Sequence, residues 1–374
     1  MKDQDRNDRE SLEEIQAETT VSKNQTEQKQ HKRRVRYKGT HPRSYQEKYK
    51  ELQPEKYPET IEKVIQKGGT PVGMHISICV KEILDFLQIQ PGQKGLDATL
   101  GYGGHTKEML KCLQGQGHLY ALDVDPIESV KTKERLEKAG YGEDILTIRQ
   151  MNFADIDQIA REAGPFDFVL ADLGVSSMQI DNPERGFTYK KEGPLDLRLN
   201  PQKGVSAAER LKEVTEEELA GMLWENSDEP YAEEIAVTVM EKLRKGEPVE
   251  TTIQLQKAIE EALSFLPERE QKEAVKKSCQ RTFQALRIDV NSEFEVLYAF
   301  MEKLPAALAP GGRVAILTFH SGEDRIVKKA FKELKRAGIY SEIAQDVIRP
   351  SAEECTRNSR ARSTKMRWAV RAKE

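Results

Sequence analysis

The stretch Lys94-Gly95-Leu96-Asp97-Ala98-Thr99-Leu100-Gly101-Tyr102-Gly103-Gly104-His105 decides the fold. Residues 94–100 read as a short strand, Gly101 to Gly104 as a tight loop, and Met109, Leu110 and Leu113 continue at helical spacing. A strand fed through a glycine turn into a helix opens a parallel α/β sheet. Upstream, Ile76, Val80, Ile83, Leu84 and Leu87 predict an amphipathic helix over 76–90, ended by Pro91-Gly92. Downstream, the apolar run His118 to Val124 is a second strand flanked by Asp123 and Asp125, with Pro126 suited to the first turn of the next helix. A third strand fits 145–150. Phe166 to Ala171 is an unbroken apolar run, as in a parallel strand covered on both faces, and it ends at Asp172. The rhythm predicts right-handed βαβ units in a doubly wound sheet, which binds ligands beyond the carboxyl ends of its strands. Asp97, Asp123 and Asp172 all fall there.

From 183 to 290 the pattern turns helical. Ala232, Ile235, Ala236, Val239, Met240 and Leu243 form one stripe, and 253–266 repeats it. The sheet resumes after Pro310-Gly311-Gly312 with a fifth strand, Arg313 to His320, and segments 339–347 and 365–371 are expected to close it as an antiparallel edge. The division expected is a polar extension over 1–70, a ligand-binding α/β domain built from 71–182 and 291–374, and a helical insertion over 183–290 that contacts substrate.

Composition bounds the function. Of 374 residues 37% are hydrophobic and 33% charged, enough for a sizeable core despite the polar start. Residues 1–30 hold few apolar side chains beyond Leu12, Ile15 and Val21 and are expected to be disordered. A net charge of −4 excludes a uniformly basic nucleic-acid binder. Two runs are nevertheless basic: Lys32, Arg33, Arg34, Arg36 and Lys38, and then Arg349, Arg357, Arg360, Arg362, Lys365 and Arg367. Each is either a solvated surface or an RNA contact. Cys79, Cys112, Cys279 and Cys355 are scattered, which argues against a disulfide framework or a zinc site and for a reducing cytoplasm. No signal peptide or membrane-spanning run is evident, so a soluble, cytoplasmic protein is expected.

The glycine loop lets backbone approach a ligand, while the helix behind it offers donors. Asp123 stands 22 residues beyond Gly101, where an acid can grip ribose hydroxyls. Nicotinamide enzymes share that arrangement. Two features favour S-adenosylmethionine: the glycines read G-Y-G-G rather than G-x-G-x-x-G, and Asp97 on the first strand could face an ammonium group. Plainer readings stand beside these. Gly103 and Gly104 could only shape a turn, His105 could cap a helix, Phe153 could be core, and His320 could be structural.

Longer motifs narrow the choice. Asp172-Leu173-Gly174-Val175-Ser176-Ser177-Met178-Gln179, Asn182-Pro183-Glu184-Arg185-Gly186-Phe187, Gly193-Pro194-Leu195-Asp196-Leu197-Arg198, Arg281 to Ile288, Phe319 to Arg325, and Asn358 to Ser363 stand in one order along the chain. Together they closely resemble the bacterial 16S rRNA cytosine-N4 methyltransferase family, from about 75 to 371. The resemblance implies a Rossmann-like class I methyltransferase sheet. It implies S-adenosylmethionine as cofactor and, as substrate, a cytosine amine in the decoding centre of 16S rRNA of the small ribosomal subunit. It implies cofactor contacts at Gly103, Gly104, His105, Asp123, Phe153, Asp172 and Gln179. Asp172 sits where other amino-methyltransferases carry an Asp/Asn-Pro-Pro-aromatic motif, and it is expected to hold the amine. Ser176, Asp196, His320 and Asp324 are expected to orient the base or relay its proton. Met178 and Gly322 depart from the usual proline and leucine. The chemistry requires neither metal nor membrane, and a homodimer stays open. The alternative from another class is a non-catalytic ribosome-assembly factor with the same fold.

Overall fold

The computed structural model describes residues 77–373. The extension expected to be disordered and the basic run at Lys32 to Lys38 lie outside the described residues. Helix α1 (Val80–Leu87) is shorter than its apolar spacing predicts because left-handed residues bound it, Cys79 at φ 57° and Gln88 at φ 50°. Strand β1 (Lys94–Asp97) then runs into α2 (Gly104–Leu113), followed by β2 (His118–Asp123), α3 (Pro126–Lys138), β3 (Leu146–Gln150), α4 (Ile156–Ala163) and β4 (Phe166–Asp172). Expected strand residues 98–100 leave β1 but stay anchored: Ala98 N–H donates to Leu170 O and Leu100 N–H to Leu122 O.

The short α5 (Ser177–Asp181) leads into a helical segment containing α6 (Ala207–Glu213), α7 (Glu216–Ser227), α8 (Ala232–Arg244), α9 (Thr252–Ala262) and α10 (Glu268–Val290). These helices bury their own core, in which Leu211, Leu223, Ile235, Leu255, Ile259 and Leu286 are at most 1% exposed. Helix α11 (Glu293–Ala307) returns the chain to β5 (Leu308–Thr318), α12 (Ser321–Arg336), β6 (Tyr340–Ile343), α13 (Ala352–Arg357) and β7 (Lys365–Arg371).

The strands form one seven-stranded sheet in the order β3-β2-β1-β4-β5-β7-β6. Strands β1 to β5 are parallel, while β7 runs antiparallel to β5 and β6. The antiparallel edge expected at 339–347 and 365–371 is therefore present, and the order is that of a doubly wound α/β sheet. Pro310-Gly311-Gly312, expected to precede the fifth strand, lies within β5, where the pairing jumps from Phe166↔Leu308 to Phe168↔Arg313. It is a bulge, a device that lets a proline stay in a sheet.

Side chains alternate between two buried layers. Val169, Ala171, Val314 and Ile316 pack with Ile159, Phe300 and Phe331 on one face, whereas Phe168, Leu170, Ala315 and Leu317 pack with Ile83, Met109 and Leu113 on the other. Gly95 has a packing reason to be glycine. A Cβ there would lie 2.0 Å from the Phe168 ring on the neighbouring strand. Among the described residues no helix is long and apolar enough to cross a membrane.

Candidate active site

A cavity of about 380 Å³ opens beyond the carboxyl ends of β1, β2, β4 and β5. Gly103, Gly104, His105, Asp123, Phe153, Asp172, Ser176, Gln179 and His320 all line it, so the structure gathers nine of the eleven residues expected to contact cofactor or base around one space.

The glycine loop is held tightly. Gly103 has φ +78°, and a Cβ on it would meet Thr132 Cγ2 at 2.7 Å. Gly101 N–H donates to Asp123 Oδ2 and Asp125 N–H to Asp123 Oδ1, both at 2.8 Å. Burial outweighs these bonds and pushes the Asp123 carboxyl up to about 6. Each oxygen keeps a lone pair for a further donor, as ribose hydroxyls would supply. Phe153 packs edge-on against Phe300 with ring centroids 5.1 Å apart.

Asp97, expected to face a ligand ammonium, does not line the cavity. Its carboxylate accepts from Thr106 Oγ1 at 2.6 Å and Thr99 N–H at 3.1 Å, tying the loop to the first turn of α2. Asp172 takes the exposed position instead. Its N–H donates to Thr99 Oγ1 at 2.6 Å, its Oδ1 is buried with no hydrogen-bond partner, and its Oδ2 lies 3.5 Å from His105 Nδ1. His105 Nε2 stands 2.9 Å from the Ile78 carbonyl, which only accepts, so the ring carries its hydrogen on Nε2 and turns Nδ1 towards Asp172. Burial is the main force raising Asp172 to about 6; Asp97 and Glu323 add to it, and His105 opposes it.

Ser176 and Gln179 form a capping box on α5: Gln179 N–H donates to Ser176 Oγ and Ser176 N–H to Gln179 Oε1. Gln179 Nε2 reaches Asp125 Oδ2 at 2.9 Å, where Arg185 Nη1 also donates at 2.7 Å. Asp125, fully buried, also caps α3, and Arg185 Nη2 holds the carbonyls of Arg198 and Leu199. One buried carboxylate thereby fastens the segment after β4 to the end of β2.

Two expected residues sit elsewhere. Asp196 does not line the cavity, because its carboxylate is engaged by Arg198 through Nε and Nη2 at 2.8 Å, which outweighs partial burial and holds it below the ordinary range. Asp324 is bound by Arg367 at 2.6 Å and Lys365 at 3.0 Å on β7. Both acids secure structure. His320 lines the cavity just beyond β5, its Nε2 3.2 Å from Glu323 Oε1 and poorly angled for a hydrogen bond, its Nδ1 buried without a partner. Beside it Arg287 forms a two-pronged pair with Glu293, at 2.8 and 2.9 Å. Burial pushes Glu323 up, but His320, Arg287 and the Phe319 N–H prevail and hold it below the ordinary range. Arg287, Glu293 and Glu323 line the cavity but carry no separate signal in the sequence beyond membership of quoted motifs or their neighbours.

Comparison with known proteins places the chain in a family. A model of the MraW methylase family matches residues 73–372. The chain belongs to the MraW methylase family. It is similar to "Ribosomal RNA small subunit methyltransferase H 1" of Lachnoclostridium phytofermentans, 70% identical over 91% of this chain and 93% of that protein. The Agathobacter rectalis protein of the same name is 69% identical over 93% and 99% of the two chains, and "Ribosomal RNA small subunit methyltransferase H" of Koribacter versatilis 38% over 79% and 94%. Residues 73–374 make up about 81% of the chain, so the first two matches extend into the N-terminal extension.

Proposed function

We propose that this MraW-family protein transfers a methyl group from S-adenosylmethionine to the N4 amine of a cytosine in the decoding centre of 16S rRNA, within the small ribosomal subunit. The observation that carries this reading is the orphaned Asp172 Oδ1 on the cavity wall, a buried acceptor awaiting a donor. The names of the relatives support the substrate, and the cavity's chemistry suits the cofactor. Asp123 would accept from the ribose hydroxyls, Phe153 would cover the adenine, and Gly103 and Gly104 would let backbone approach the rest.

S-adenosylmethionine held there would supply an electrophilic methyl on sulfur, with the neutral thioether as the leaving group once N4 takes the methyl. The chain's own residues do the positioning. A cytosine amine is a weak nucleophile because its lone pair is delocalised into the ring. Asp172 Oδ1, aided by the carbonyls of Leu173 and Gly174, accepts the N4 hydrogens and localises that pair. One N4 proton passes to Asp172 as the product forms. His320, backed by Glu323, and the Arg287–Glu293 pair help to hold the base. The helical segment over 183–290 acts as the substrate-recognition domain: its Gln284 and Arg287 line the cavity. The base must leave its stack to enter, which suits an irregular RNA region.

The test uses small subunits from a strain lacking this gene, labelled S-adenosylmethionine, and the wild-type and Asp172→Ala proteins. Incorporation by wild type and its loss in the variant are expected. Tight cofactor binding with no incorporation into subunits or naked rRNA would instead select the assembly-factor reading.

A further inference from the structure

Helix α12 leaves the cavity wall one residue after His320 and extends for about 22 Å. One face is apolar: Ile326, Val327 and Phe331 are buried against the sheet. The opposite face exposes Arg325, Lys328, Lys329, Lys332, Lys335 and Arg336, with Glu333 as the sole acid among them. These cations follow helical spacing, so they stand beside one another at i,i+3 and i,i+4 and repel.

Elsewhere the protein neutralises many such charges. Lys81, Lys111, Lys131, Lys133, Lys242 and Arg244 each have a carboxylate within 4.0 Å. On α12 only Arg325 approaches one, Asp228 at 3.9 Å, with both side chains well exposed. Among the described residues none of Lys328, Lys329, Lys332, Lys335 and Arg336 has an ion-pair partner. The two acids of the first turn are committed elsewhere, Glu323 to His320 and Asp324 to Arg367 and Lys365. Lys335 and Arg336 suit a helix C-terminus, but Arg325, Lys328, Lys329 and Lys332 lie before the last turn and gain nothing from the helix dipole. The chain as a whole is acidic, at −4. Tyr298, 59% exposed on the neighbouring α11, adds an aromatic surface one turn beyond Phe294, whose ring lies against Gly322 at the start of α12.

We propose that the outward face of α12 is a docking track for the phosphodiester backbone of the RNA substrate, leading from the mouth of the cavity. Phosphates supply the missing counter-charges, and contacts to them position a strand without reading its sequence. The inference rests on the RNA-methylating reading of the adjoining cavity and assigns a surface to it.

The test combines Lys328→Glu, Lys329→Glu and Lys332→Glu in one full-length protein, with Lys111→Glu, Lys133→Glu and Lys138→Glu on α2 and α3 as a charge-matched control. A Lys→Gln set on α12 replaces the first if its melting temperature falls. The α12 variant is expected to raise KM for small subunits and for naked 16S rRNA at least tenfold. Its kcat at saturation and its affinity for S-adenosylmethionine should stay within twofold of wild type. The slope of log affinity against log salt should shrink by about 2, three contacts at about 0.7 each. The control should behave as wild type. Unchanged KM and salt slope in the α12 variant would overturn the proposal, as would a defect on subunits with none on naked rRNA, which would make this face a protein contact. Failure of wild type to methylate any RNA would sink the functional reading instead; direct RNA-binding measurements on the same variants would still decide the track.

Discussion

Replacing Asp172 with asparagine separates what this carboxylate does for the reaction from what it costs the fold. Burial raises the group from the ordinary 3.8 to about 6. A folded-state value above the unfolded one means that the native protein binds this proton more tightly. The ionised form therefore costs stability above pH 6, and that cost disappears as pH falls through 6 towards 3.8. About two pH units correspond to about 3 kcal/mol at neutral pH, an upper bound because a quarter of the side chain remains exposed to the cavity. Asp172→Asn removes the charge and keeps the shape. Denaturant unfolding followed at pH 8 and pH 4 should show the variant about 1–3 kcal/mol more stable than wild type at pH 8 and nearly equal at pH 4. Methyl transfer should fall by about a hundredfold or more, since the amide offers one acceptor and no place for a proton. A variant less stable than wild type at pH 8 would refute the reasoning, because it would make the carboxylate, through His105, a net stabiliser of the fold.

Other consequences follow from the same geometry. Because Asp172 must be ionised to accept an N4 proton, the rate of methyl transfer should be flat above pH 7 and drop about tenfold per unit once pH falls below about 6, read from initial rates at saturating substrates. Gly103→Ala adds a Cβ 2.7 Å from Thr132 at φ +78° and should lose about 1–3 kcal/mol of stability and weaken S-adenosylmethionine binding in calorimetry. Gly115→Ala, at φ +73° with nothing within 4 Å, should cost about 1 kcal/mol and leave binding intact. Arg185→Ala strands the buried Asp125 carboxylate and should cost about 3–5 kcal/mol, seen as a lower denaturant midpoint.

The parts legible in the sequence are those set by local pattern. Apolar runs marked β2 and β4, period-3.6 stripes marked α8 and α9, and Asp123 and Asp172 stood where such strands end. Boundaries were less legible because they depend on backbone conformation that side-chain pattern does not encode: Cys79 and Gln88 turn left-handed and trim α1. Pro310-Gly311-Gly312 carries the composition of a turn, and only the neighbouring β4 makes it a bulge. Asp97 and Asp172 look alike as acids at strand ends. Thr106, a residue of the next helix, satisfies the first and leaves the second to the cavity. The Arg287–Glu293 pair spans a helix break at the left-handed Ser292, φ 48°, so spacing alone does not bring it together. On α12 the basic spacing is plain in the sequence, whereas the lack of carboxylates facing it is a property of the packed molecule.

The most direct measurement is nucleoside analysis of 16S rRNA after methyl transfer by the wild-type protein to small subunits from a strain lacking the gene. The account predicts N4-methylcytidine as the labelled product, absent with Asp172→Ala. Label in another nucleoside, a methyl on carbon rather than on the exocyclic amine, or full activity in the alanine variant would contradict it.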